Sequence, residues 1–167
     1  MNEKDAIDFL LTVQPMPNDD ILTEELINEY DKVRLYLAAH PTEAALPLLL
    51  NSFGNGFGFG VYQLVEDTIA AFPTNLVVEN LAFALQSPNE GVRFWASQIS
   101  ERYFDPSLLT PLQSLIHDES PHIRAAAITS LERYLDLDEA LRKELEDLVL
   151  VEQESWVLSL LKETLRK

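Results

Sequence analysis

Hydrophobic residues recur at helical spacing along almost the whole chain, and no segment shows the alternation that is typical of a half-buried strand. Proline and glycine interrupt this pattern at intervals, and each interruption marks the start or the end of a helix. The pattern therefore predicts an all-α protein whose mostly short helices come in pairs. The predicted helices span about 3–13, 20–39, 42–52, 60–72, 74–86, 90–104, 106–117, 120–135, 138–150 and 153–166.

An internal repeat with an offset of 31 residues lies within this helical pattern. Val92 and Arg93 recur as Ile123 and Arg124, and the flanking helices agree in the same register. A lone helical hairpin cannot cover its own apolar stripe, so such units are expected to stack into one continuous core. A third copy begins upstream at Val61 with the same offset, and a degenerate fourth copy begins downstream at Val157 with an offset of 34.

The repeated motif reads S-P-x-x-[IV]-R-x-x-A from Ser120, and it recurs in a looser form from Asn89. It resembles the short bacterial form of the HEAT repeat, and the resemblance covers about residues 42–166. The resemblance implies an α–α superhelix, here a HEAT-like solenoid of about four helical hairpins. It also implies a scaffold that binds other proteins, with many different partners across the family.

Residues 1–40 do not repeat. We expect the chain to form a single domain, 1–167, in which residues 1–40 are an N-terminal helical cap on the repeats of 42–166. A separate function for this segment is the alternative. Its second helix is predicted to open with Asn18, Asp19 and Asp20, whose acids would lie at the positive end of the helix dipole.

Charge and composition narrow the classes of function. The 167 residues include 28 Asp and Glu against 12 Lys and Arg, a formal net charge of −16 that disfavours binding to a phosphate backbone. The hydrophobic content of 47% is too high for a disordered acidic tail, and the absence of cysteine excludes disulfides and thiolate chemistry. Because no secretory signal or long apolar segment is evident, we expect a cytoplasmic protein that binds neither nucleic acid nor membrane.

Four of the five glycines lie within residues 54–60, interleaved with phenylalanine. A phosphate cradle would need a preceding strand and a nearby cation, but a helix is predicted before this segment and no Lys or Arg lies near it in sequence. Two interpretations remain, a long turn that uses positive φ and a loop that binds a partner. The partner-binding interpretation is supported by the side chains of Phe53, Phe57 and Phe59, which would be costly to leave in water without a partner to cover them.

Helical projection also predicts which positions point away from the apolar stripe, toward the face that solenoids use for binding. These positions carry acids, amides and one aromatic residue, and they also include Ser97, Ala125 and Ile128. Such a surface suits a basic protein partner, and a merely solvated acidic face is the alternative. The predicted partner-binding residues are Phe57, Phe59, Tyr62, Gln63, Glu66, Asp67, Phe94, Gln98, Glu101 and Glu132.

No motif for catalysis or metal binding is present. His117 and His122 flank two acids across a turn, but their spacing matches no established set of metal ligands. No carboxylate pair is distinguished by an apolar setting or by a neighbouring nucleophile. We therefore expect a protein that is not an enzyme and that holds no cofactor and no metal.

Arg93 and Arg124 occupy the same position in successive repeats. We expect each guanidinium to bond a carboxylate or a carbonyl of the adjacent turn, as an internal link of the repeat. Trp95 lies on the apolar stripe, at a position where the next repeat has alanine, and is predicted to be part of the core.

Small, strongly acidic HEAT-like proteins of this kind resemble immunity proteins that neutralise toxins, which are often basic nucleases. The resemblance implies that the chain, expected to be a monomer, either blocks the active site of such a toxin or holds the toxin in an inactive state. Its concave face and the Gly/Phe loop of residues 54–60 are the expected contact regions. A generic scaffold or adaptor is the alternative, and a lyase-type HEAT protein is a further one. A DNA glycosylase of related fold would need a basic groove, which the charge contradicts.

Overall fold

The computed structural model describes residues 1–166. This part of the chain forms ten α-helices and contains no strand, which confirms the predicted all-α fold of the α–α superhelix class. Every predicted helix is present, with ends that differ from the prediction by at most four residues. The helices are α1 (Glu3–Thr12), α2 (Glu24–Ala39), α3 (Ala45–Leu50), α4 (Val61–Ile69), α5 (Thr74–Ala84), α6 (Glu90–Ser100), α7 (Pro106–Leu115), α8 (Pro121–Leu131), α9 (Glu139–Leu148) and α10 (Ser155–Thr164).

Contacts between Cα atoms divide the chain into two compact units, Met1–Ala96 and Ser97–Lys167. The division falls within α6, so the first unit holds α1 to α5 and the start of α6, and the second holds the end of α6 and α7 to α10. The assignment of 1–167 to a single domain stays a prediction.

In the first unit, the two N-terminal helices share the core of the repeats. Helix α1 packs against α2 and α3, α2 packs against α4, and α3 packs against α5. Leu10 and Tyr30, from the N-terminal helices, are as fully buried as Phe53 and Tyr62. The hydroxyl of Ser52 donates to the Leu49 carbonyl at 2.7 Å, so at 2.6 Å the Tyr30 hydroxyl is the donor to Ser52 Oγ.

The start of α2 differs from the prediction. The helix begins at Glu24 because Thr23 caps it, its Oγ1 accepting from the Leu26 N–H at 3.2 Å. The predicted opening by Asn18, Asp19 and Asp20 is therefore wrong. The Asn18 carbonyl instead accepts two backbone bonds in a turn that precedes the helix.

In the second unit, α8 is the central helix and packs against α7 and α10. Seven of its residues are buried, among them Ala125, Ala126 and Ala127, whose small side chains allow neighbouring helices to approach closely. Pro121 occupies the first turn of α8, where its missing N–H costs nothing. The motif that defines the repeat thus supplies both the start and the packing face of this helix.

The predicted helix 120–135 changes its winding after Leu131. Residues Glu132–Tyr134 form a 3₁₀ turn. The Tyr134 hydroxyl donates to the Asp105 carbonyl at 2.9 Å and accepts from the Asp105 N–H at 3.1 Å. Asp105 in turn caps α7, and the hydrogen bonds from Ser107 lower the pKa of its carboxyl.

Candidate functional site

Two phenylalanine rings of the glycine-rich segment lie on the surface of the first unit. Phe57 is 56% exposed and Phe59 is 57% exposed, whereas Phe53 is fully buried. The partner-binding interpretation, which grouped Phe53 with Phe57 and Phe59, is therefore wrong for Phe53. Its ring stacks on Trp95 at 5.5 Å between centroids, and Trp95 is buried as predicted.

Trp95 packs against one of the exposed rings, Phe57, and against the neighbouring Phe94. The rings of Phe57 and Phe94 meet it edge-on, with centroids at 6.2 Å and 5.5 Å. The indole N–H donates to the Gly56 carbonyl at 3.1 Å, so the same side chain also fixes the backbone of the loop. Phe94 is half-buried, so it presents only part of its ring to solvent. We name Phe57, Phe59 and Phe94 the aromatic surface.

Tyr62 does not belong to this surface. Its side chain is fully buried, with its ring edge against Phe53 and Trp95 and its hydroxyl accepting from the Gly54 N–H at 3.2 Å. Burial raises the pKa of Tyr62 to about 12. The prediction that Tyr62 contacts a partner is therefore wrong. Its side chain faces the core, whereas the next residue, Gln63, is on the exposed side of α4.

The exposed side of α4 carries the polar residues that were predicted there. Gln63 and Asp67 are exposed, and Glu66 is half-buried. Leu64 is 45% exposed on the same helix, although it lies three residues after Val61 and so falls on the predicted apolar stripe. The first unit therefore presents an acidic and partly apolar helix face directly after the Phe57–Phe59 segment.

The backbone of residues 54–60, the Gly/Phe loop, is held by Asp19, which the sequence pattern placed at the start of a helix and not at this loop. The carboxylate of Asp19 accepts from the N–H groups of Phe57 at 2.8 Å and Gly58 at 2.9 Å. These N–H groups are the donors that a bound phosphate would have needed, and they are occupied by the protein's own carboxylate. The turn interpretation agrees with positive φ at Gly58, which reaches +53°.

In the second unit, the outward projection is only partly correct. Glu101 is exposed, and Gln98 and Glu132 are half-buried. Some residues that were predicted to point outward are buried instead. Two of them lie on α8, which packs against both α7 and α10. The third is Ser97, whose carbonyl accepts a hydrogen bond from the buried Ser130 hydroxyl at 2.7 Å. These wrongly projected residues are Ser97, Ala125 and Ile128.

The predicted role of the repeat arginines is confirmed. Nη1 of Arg93 donates to the carbonyls of Ser87 and Pro88, and Nη1 of Arg124 makes the equivalent pair of bonds one repeat later. Arg124 also forms an ion pair with Glu152, whose hydrogen bonds lower the pKa of the Glu152 carboxyl. These arginines serve the repeat internally.

His117 and His122 lie apart from each other within the second unit. His117 Nε2 lies 3.1 Å from Glu144 Oε1, whereas the His122 ring packs on Trp156 at 5.2 Å between centroids. Within residues 1–166, no group of three or more histidine or acidic side chains is arranged to hold a metal ion. In the same part of the chain, no helix combines the length and the apolarity needed to cross a membrane.

Paired helices, a 31-residue period and arginines that repeat the same contacts define an α-helical repeat protein. The sequence profile of the HEAT repeats matches residues 77–166, which is more than half of the chain, and the protein belongs to the HEAT-repeat family. A comparison with curated proteins finds no match. Members of this family are typically scaffolds for protein interaction rather than enzymes.

Proposed function

We propose that this protein is an immunity-type binding module that captures and neutralises a basic protein toxin. One observation carries the proposal: Phe57 and Phe59 are each more than half exposed on a loop that is hydrogen-bonded in place, and an acidic helix face follows them. A surface that combines rigid aromatic side chains with carboxylates suits a partner whose apolar contact region is surrounded by Lys and Arg.

The aromatic surface supplies the buried area of the proposed complex. Fully burying a phenylalanine side chain contributes about 1.5–3 kcal/mol, so two such residues provide a substantial part of a typical affinity. Trp95 backs the Phe57 and Phe94 rings, which limits the side-chain freedom that association must remove. The residues proposed for this role are Phe57, Phe59 and Phe94.

The acids of α4 supply the proposed selectivity for a basic partner. Glu66 and Asp67 lie in the second half of Val61–Ile69, where the negative end of the helix dipole adds to the attraction for a cation, and Gln63 is exposed one turn earlier. The net charge of −16 favours fast, salt-dependent association with a basic protein. In the second unit, we propose Gln98, Glu101 and Glu132 as partner contacts.

The test begins with the protein encoded beside the gene for this chain. We expect that protein to be basic, to arrest growth when it is expressed alone, and to be harmless when it is co-expressed with this chain. The two purified proteins should elute together from a size-exclusion column. A neighbour that is neither toxic nor bound would contradict the immunity role.

The double substitution Phe57→Ala and Phe59→Ala tests the contribution of the aromatic surface. The affinity of this variant for the purified neighbouring protein is measured by titration. We expect affinity to fall by about 100-fold or more, as for central aromatic residues of interfaces. Phe83 is 70% exposed on α5, so Phe83→Ala is the matched control and should leave affinity unchanged. Equal effects of both changes would place the interface elsewhere.

The contribution of charge is tested by Glu66→Lys with Asp67→Lys, measured over a range of salt concentrations. We expect weaker binding and a smaller dependence of affinity on salt. Glu43 and Glu79 are exposed in the same unit, and their reversal changes the net charge equally, so this double variant is the control. Unchanged affinity and salt dependence in the α4 variant would show that the face assignment is wrong.

A generic scaffold is the second candidate, and the match to the HEAT repeats favours it equally. The two functions differ in what binding does to the partner. A complex with the neighbouring protein that leaves the activity of that protein intact supports the scaffold, whereas loss of its toxicity on binding supports the immunity role.

A further inference from the structure

The segment before α2 reaches across 38 residues of sequence to hold the Gly/Phe loop. The two carboxylate oxygens of Asp19 accept separately, Oδ2 from the Phe57 N–H at 2.8 Å and Oδ1 from the Gly58 N–H at 2.9 Å. The Asp19 N–H donates to the Asn55 carbonyl at 3.0 Å. One residue therefore makes three hydrogen bonds to the loop.

The conformation of the loop explains why a carboxylate is needed there. The backbone passes from φ −115° at Phe57 to +53° at Gly58, and this change turns two successive N–H groups toward one point. On the other side of the loop, the buried Trp95 donates to the Gly56 carbonyl. Asp19 and Trp95 together hold a glycine-rich segment that would otherwise sample many conformations.

We propose that Asp19 is a positioning residue, which holds Phe57 and Phe59 in the outward arrangement that a protein partner binds. The N-terminal segment then builds part of the binding surface as well as covering the core. This inference rests on the proposed function, because it concerns the same aromatic surface. It adds that the surface is formed before the partner arrives, so that association does not have to order the loop.

Asp19→Asn is the sharpest variant because it preserves shape while changing one acceptor into a donor. In the same position, the asparagine oxygen replaces only one of the two carboxylate oxygens, and the NH₂ group faces the N–H that the other oxygen had bound. A side chain that merely filled space would tolerate this change. Asp20 is the exposed neighbour, so Asp20→Asn removes the same charge and serves as the control.

The first measurement needs no partner. We expect amide hydrogen exchange at Phe57 and Gly58 to accelerate at least tenfold in Asp19→Asn, with core amides unchanged. With Trp156→Phe as background, Trp95 is the remaining tryptophan, and its emission should shift to the red as its bond to Gly56 loosens. Asp19→Ser, which retains one acceptor, repeats the test. Exchange and emission equal to those of Asp20→Asn would overturn the inference.

The second measurement is a titration with the purified protein that is encoded beside the gene for this chain. We expect Asp19→Asn to lower affinity about tenfold, with the urea midpoint of the folded protein measured alongside. Weaker binding by Phe57→Ala but not by Asp19→Asn would overturn the positioning role and leave the proposed function standing. If the loop loosens but neither change affects binding, the proposed interface is wrong, and with it the role of Asp19 in binding.

Discussion

Glu152 binds Arg124 through two hydrogen bonds of 2.8 Å each, from Nε to Oε2 and from Nη2 to Oε1. The Glu152 side chain is only 2% exposed and that of Arg124 is 15% exposed, so water screens this pair less than a surface ion pair. Because Arg124 Nη1 also bonds the carbonyls of Asp118 and Glu119, one guanidinium joins the turn before α8 to the segment before α10.

We therefore expect Glu152→Gln to destabilise the second unit. The amide loses the charge and one acceptor, and Arg124 keeps its two carbonyl partners but faces a buried NH₂ group. The expected loss is about 2–3 kcal/mol in the free energy of unfolding, measured by urea denaturation. Glu163→Gln changes an exposed carboxylate of α10 and should have an effect of less than about 0.5 kcal/mol.

The same pair predicts how stability depends on acid. The hydrogen bonds from Arg124 lower the pKa of Glu152 in the folded protein, so this contribution is complete above the unfolded value, near 4.3. It is lost as pH falls through the lower, folded value. In Glu152→Gln, stability should fall less steeply with acid below about pH 5. An equal slope in both proteins would contradict the assignment.

The repeat predicted one half of this pair but not the other. Arg124 could be predicted because Arg93 holds the same position in the preceding unit, and the two arginines make equivalent carbonyl contacts. Glu152 lies outside the repeated motif, and the sequence alone does not indicate which of the many acids pairs with Arg124. The helices were predictable for a different reason, since apolar spacing depends only on neighbours three and four residues away.

A stability comparison separates the buried ring from the exposed ones. Phe53 is fully buried, so Phe53→Ala should cost about 3–5 kcal/mol, whereas Phe59→Ala should cost less than about 1 kcal/mol. Chemical denaturation followed by circular dichroism measures both values. Similar losses for the two variants would mean that Phe59 packs against the core and is not an exposed contact residue.

The candidate site was harder to predict than the fold. Helical spacing placed Gln63 and Asp67 on the outside of α4, but Tyr62, which was assigned to the same surface, is fully buried. Asp19 was missed because its partners, Phe57 and Gly58, are distant in sequence and contribute only backbone N–H groups. Side-chain identity carries no signal for such a contact.

The space around Gly91 explains why glycine occupies this position, in addition to its place near the start of a helix. A Cβ added at this position would collide with the backbone of Gly54, so the start of α6 approaches the loop more closely than any side chain allows. We expect Gly91→Ala to destabilise the first unit by about 1–3 kcal/mol, although alanine favours helices. Glu90→Ala, one residue earlier and exposed, is the control in the same denaturation experiment. A more stable Gly91→Ala protein would contradict the close approach.

Two buried tyrosines predict how the protein responds to alkali. Burial raises the pKa of Tyr30 and raises that of Tyr62 to about 12, so the folded protein keeps both protons where an unfolded chain, with pKa near 10, releases them. Stability is therefore complete below about pH 10 and declines as pH rises toward the folded values.

Tyr30→Phe tests this dependence and the hydrogen bond to Ser52 together. At neutral pH we expect a loss of about 1 kcal/mol, because Ser52 keeps its bond to the Leu49 carbonyl and only the tyrosine bond disappears. Between pH 10 and 12, the variant should lose stability less steeply than the parent protein, since one buried titrating group is gone. Urea midpoints across this range give the slopes, and tyrosinate absorbance should show one fewer late-ionising tyrosine. Identical slopes would mean that Tyr30 ionises as readily in the folded protein as in the unfolded chain, contrary to its complete burial.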